Sequence, residues 1–74
     1  MTKEGLNIAL RMMNRRRPFR PFLLEFASGD RIFVVHPEAV RDFGGVFVFR
    51  HPDAAHRLFN AESVTQLIEP SPAT

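Results

Sequence analysis

Two tripeptides, His36-Pro37-Glu38 and His51-Pro52-Asp53, each set an imidazole two residues before a carboxylate, and His56 follows the second. Three imidazoles and two acids make a donor set that a transition metal accepts, and an imidazole beside a carboxylate can also move protons. The spacing favours a plainer use. Each pair straddles a proline instead of lying i, i+4 on a helix as in a zincin site. On that reading each His-Pro step ends a strand and the acid caps the turn after it. The alternative is a metal or acid–base site built from His36, His51 and His56. No other catalytic pattern is present. Gly44-Gly45 lacks the Lys-Ser/Thr and the helix of a phosphate-binding loop. Ser28, Ser63 and Ser71 fall in turns or the tail without a base beside them. The expectation is a chain that is not an enzyme and takes no cofactor.

A second cluster is Arg15-Arg16-Arg17-Pro18-Phe19-Arg20-Pro21-Phe22. Arginines contact phosphate and stack on bases, and Phe19 offers a stacking face, so Arg15, Arg16, Arg17 and Arg20 are candidate contacts to RNA or single-stranded DNA. The structural alternative makes Phe19 and Phe22 packing anchors. The arginines then lie in solvent, pair with Glu25 and Glu62, or bridge subunits. Charge placement is compatible with both. The first twenty residues carry six cations against Glu4, whereas the remainder carries four cations against seven acids.

Seventy-four residues make one small domain, assigned to residues 1–69 and followed by a flexible tail over 70–74. Such a domain buries only about 60–65% of its unfolded surface. With no cysteine, neither a disulfide nor a thiolate metal site supports it. Eight phenylalanines are many for so thin a core, which points to a homo-oligomer with some of them between subunits. No apolar run reaches the ~20 residues of a membrane span, and Lys3, Glu4 and Arg11 break any signal-peptide stretch. The expectation is a cytoplasmic protein with no membrane partner.

The elements that must position these residues follow from periodicity. Thr2 caps a helix over 3–14, whose Leu6, Ala9, Leu10 and Met13 form one stripe and Ile8 and Met12 a second. Pro18 and Pro21 stop it. Residues 22–27 alternate as a strand, Ser28-Gly29-Asp30 turns, and 31–36 return. Residues 37–45 read as a loop and 46–50 as a strand buried on both faces. A turn over 51–55, a strand over 56–59, a helical turn over 61–63 and a strand over 64–69 complete the chain. Phe22, Leu24, Phe26, Phe33, Val35, Phe47 and Phe49 are the expected core, and Phe43 is read as core with them.

This order, a helix and then five short antiparallel strands with a 3₁₀ turn before the last, resembles Sm-like and SH3-like small barrels. The passage Phe59-Asn60-Ala61-Glu62-Ser63-Val64-Thr65-Gln66-Leu67-Ile68 is similar to their last strand pair. The opening helix, strand, glycine turn and strand are similar to the bacterial Sm-like RNA chaperone. The Lys-His pair that marks that chaperone's uridine pocket has no counterpart here, so that role does not carry over. The resemblance implies a mainly β fold: an N-terminal helix and a five-stranded antiparallel barrel. Arg17-Pro18-Phe19-Arg20-Pro21-Phe22, Ser28-Gly29 and Val35-His36-Pro37-Glu38 also resemble a group of small uncharacterised bacterial proteins with R-P-F-x-P-F, D-G and V-x-H-P-E motifs. That second resemblance implies no activity.

Overall fold

A computed structural model describes residues 1–53 and 55–70. Helix α1 spans Lys3–Arg15, and Thr2 Oγ1 accepts the Gly5 N–H at 2.9 Å to cap it. Six strands follow: β1 (Phe22–Phe26), β2 (Arg31–Val34), β3 (Val40–Phe43), β4 (Val46–Arg50), β5 (His56–Asn60) and β6 (Val64–Ile68). A 3₁₀ turn over Ala61–Ser63 separates the last two. The strands form two antiparallel sheets, β2-β1-β6 and β3-β4-β5. The protein is therefore mainly β with one N-terminal helix. In place of the expected five-stranded antiparallel barrel there are six strands in two three-stranded sheets, not closed into a barrel, with no pairing between β2 and β3 among the described residues. No described helix is long and apolar enough to cross a membrane.

The sixth strand is β3, which lies inside the segment read as a loop. Gly44 and Gly45 both take positive φ, 64° and 97°, and form the two-residue turn that joins Phe43 to Val46. Two consecutive residues in that region suit the right-handed twist of a tight hairpin. Pro37 and the paired glycines mark the borders of a short strand here, not the interior of a loop.

The core lies between the sheets and under α1. Leu6 and Leu10 of the helix meet Phe22, Leu24 and Phe26 of β1, Ile32 and Val34 of β2, and Phe47 and Phe49 of β4. Phe59 ties the sheets together: its ring lies edge-on to Phe26 at 5.0 Å and stacks on Phe47 at 5.9 Å. Such pairs add about 0.5–1.5 kcal/mol each beyond the area they bury. Phe19, half-buried, leans edge-on against Phe22 at 6.2 Å and anchors the turn between helix and sheet.

Three core assignments are corrected. Phe33 and Val35 are 52% and 38% exposed, and Ile32 and Val34 take their places inside. The turn fixes this. The Phe26 N–H donates to Asp30 O across a three-residue loop, which sets Ile32 opposite Leu24 and Val34 opposite Phe22. Residues directly opposite share a face, so a buried Leu24 demands a buried Ile32. Phe43 also faces solvent, because it shares a face with Val46 and not with Phe47. For the same reason β4 is buried on one face only: Phe47 and Phe49 point inward, while Val46 is exposed and Val48 half-buried.

Candidate functional site

The arginine cluster begins in the last turn of α1 and runs to the start of β1. Glu69, just past β6, accepts from Arg16, and from Arg20 at 3.3 Å. The hydrogen bond from Arg16 first, and that from Arg20 after it, hold the Glu69 carboxyl below the usual glutamate range. Arg17 turns back on the helix end and donates to the carbonyls of Asn14 and Arg16 at 2.8 and 2.9 Å. Those carbonyls have no intrahelical partner, and a cation there also complements the helix dipole. Arg15 is exposed with no ion pair among the described residues. The cluster does pair with an acid of the body, but the acid is Glu69, not Glu25 or Glu62. Glu25 is engaged elsewhere.

The histidines do not converge. His36 and His51 line one open groove of about 390 Å³ between the end of β2 and the end of β4, together with Phe33, Val35 and Phe49. The His51 ring stands edge-on to Phe49 at 4.6 Å. His56 lies on β5 opposite Arg50 and borders a separate hollow. Among the described residues no group of three His, Cys, Asp or Glu side chains is arranged to hold a metal ion. Asp53 caps its turn as expected, accepting the Ala55 N–H at 3.1 Å. Glu38 does not. It sits at φ 62°, and its own N–H donates to the Asn14 side chain at 3.2 Å.

What the structure adds is two outer sheet faces of different character. On β2-β1-β6, register places Phe33, Leu23 and Ile68 in one row across the three strands. The next row is Arg31, Glu25 and Gln66. Glu25 accepts from Gln66 at 2.6 Å and from Arg31 at 3.0 Å, and these two bonds, Gln66 first, lower its pKa. This face is an apolar row beside a row whose charges are satisfied within it.

On β3-β4-β5 the outward rows are Phe43, Val46 and Asn60, then Arg41, Val48 and Leu58, then Arg50 and His56. Phe43 and Leu58 are 60% and 65% exposed. Neither Arg41 nor Arg50 forms an ion pair among the described residues. Asp42, the acid next to Arg41, points to the opposite face. There it accepts from Asn7 at 3.0 Å and from the Gly45 N–H at 2.8 Å, and these bonds, Asn7 first, lower its pKa. Arg41, Arg50 and Leu58 do not stand out in the sequence, and Phe43 reads there as core. Gly44-Gly45, taken as a hairpin turn, would have aligned them.

No protein-family model, no curated protein and no solved structure matches this chain.

Proposed function

We propose that the protein is a non-enzymatic, self-associating interaction module of the cytoplasm, and that two copies meet through the outer face of β2-β1-β6. One observation carries this reading. Phe33, Leu23 and Ile68 form an apolar row, and the adjacent Arg31–Glu25–Gln66 row is neutral within itself. A two-fold axis presents the same patch on both copies, so a self-complementary face must not repel itself. This one carries no unpaired charge in either row. β2 is also an edge strand, and its Phe33 backbone groups point away from β1 by the alternation of the ladder.

We read the two sheets as halves of an Sm-like or SH3-like barrel left open between β2 and β3. Support comes from β1, which pairs with both β2 and β6, and from the 3₁₀ turn that leads into β6. Membership of the small bacterial group with the R-P-F-x-P-F motif belongs to the same proposal. The alternative is an Sm-like nucleic-acid binder using Arg15, Arg16, Arg17 and Arg20. It draws on an open hollow lined by Arg16, Arg17 and Arg20.

Light scattering coupled to size exclusion tests self-association. The expected mass exceeds the 8.5 kDa of one chain, and Phe33→Glu should return it to that value while the fold, followed by circular dichroism, persists. A monomer at high concentration for the unaltered chain would end the proposal.

A further inference from the structure

We propose that the outer face of β3-β4-β5 is a docking surface for a protein segment in which carboxylates flank apolar side chains. This face is separate from the one assigned to self-association, so the two proposals stand or fall independently.

The surface is built by register. Phe43, Val46, Val48 and Leu58 form a contiguous apolar centre over three strands. Strand spacing and rise give it a width and a length of roughly 10 and 7 Å. Arg41, Arg50 and His56 stand beside it. Between Arg41, Arg50 and His56, with Val48 at its side, lies a hollow of about 120 Å³, room for a carboxylate and the methylene that carries it. Glu38 is the one acid lining that hollow. A planar guanidinium pairs with a carboxylate through two parallel N–H donors, and two of them at one hollow give orientation as well as affinity.

Charge selects the occupant. A second copy placed face to face would set Arg41 and Arg50 against their own counterparts, and like charges across an interface oppose association. Nucleic acid fits less well for a different reason. Surfaces that hold single strands combine several aromatic platforms with a basic track. Here the exposed rings on the face are Phe43 and the His56 imidazole, two rows apart, and the rest of the apolar centre is aliphatic. An apolar centre with an aromatic anchor and arginine beside it is the chemistry of protein recognition.

The test uses the full chain and three fluorescein-labelled probes followed by anisotropy. They are a short peptide alternating glutamate with leucine, its lysine-for-glutamate counterpart, and a short single-stranded RNA. The glutamate peptide should bind with an affinity that falls as salt rises, and the lysine peptide should not. Arg41→Glu with Arg50→Glu should weaken the glutamate peptide by about tenfold or more and admit the lysine peptide. Phe43→Ser with Leu58→Ser should weaken the glutamate peptide comparably. Arg41→Gln with Arg50→Gln, a milder pair, gives the same direction if the charge reversals do not fold. Absence of binding by the folded wild type, equal binding of the two peptides, or tighter binding of RNA through the same two arginines would each overturn the proposal.

Discussion

The two sheets use one rule on their inner faces and opposite rules on their outer ones. Inside, β1 gives Phe22, Leu24 and Phe26, and β4 gives Phe47 and Phe49, to one shared core. Outside, the first sheet neutralises its arginines: Arg31 meets Glu25, and Arg16 and Arg20 meet Glu69 just beyond β6. The second leaves Arg41 and Arg50 without an ion pair among the described residues, beside exposed Phe43 and Leu58. Even Arg57 of β5 follows the first pattern, because it reaches across to Asp30 at 3.2 Å and covers the Phe26 ring at 4.6 Å. Position in the fold, by register for Arg31 and by loop contacts for Arg16, Arg20 and Arg57, thus decides whether an arginine has an ion-pair partner. Composition does not.

The largest expected effect checks that the inner faces are equivalent. Phe22→Ala and Phe47→Ala each empty a fully buried site, at a cost of about 3–5 kcal/mol. That is a large part of the ~5–15 kcal/mol that holds a small domain together. Urea melts should show similar losses for the two. Phe43→Ala, on an outer face, should change stability by less than about 1 kcal/mol. A large loss at one inner site and a small one at the other would mean that the sheets do not share a core.

How far the chain can be read from its sequence depends on whether a local pattern fixes the phase. Leu6 and Leu10 fall one helical turn apart, and Thr2 marks the start, so α1 is legible. Phe22, Leu24 and Phe26 alternate with half-buried neighbours, and the face of β1 is legible too. In β2 and the residue after it both faces are apolar, Ile32 and Val34 on one and Phe33 and Val35 on the other. Periodicity then has no phase, and only the length of the 27–29 loop decides it. β3 has Val40 and Phe43 three residues apart, a spacing that does not repeat every second residue. The Glu69 pairing spans 53 residues from Arg16, and no local pattern reports a contact at that distance. The second outer face depends on β3, so it was hidden with it.

A smaller effect separates the sheets by acid titration. Glu25 and Glu69, beside the first sheet, and Asp42, on the second, all have folded pKa values held below their ordinary ones. A lowered folded pKa gives stability that is present above the unfolded value and lost as pH falls through the folded one. The urea midpoint should therefore hold near neutrality and decline as pH drops below the ordinary carboxylate range of about 4. Glu25→Gln with Glu69→Gln should flatten that decline more than Asp42→Asn does, since two of the three groups serve the first sheet. An equal or greater flattening by Asp42→Asn would contradict the contrast.

The smallest expected effect lies in the arginine arm, where the functional alternatives part. Replacing Arg15, Arg16 and Arg17 by Gln removes the Arg16 bond to Glu69 and the Arg17 bonds to the helix-end carbonyls, but leaves Arg20 on Glu69. Exposed pairs contribute little one at a time, so the urea midpoint should fall slightly. A short single-stranded RNA should bind neither the wild type nor the variant at low salt. Glu69 offsets one unit of the arm's charge through Arg16 and Arg20, and Arg17 is turned onto the helix-end carbonyls, which leaves the arm less charge to offer phosphate. The opposite outcome has a clear signature. If the arm holds phosphate, wild-type binding should weaken steeply with salt, and each arginine lost should lower the salt slope by about one unit for every sequence alike. Such a complex, abolished by the triple substitution with the fold intact, would transfer the function from the sheet faces to the arm.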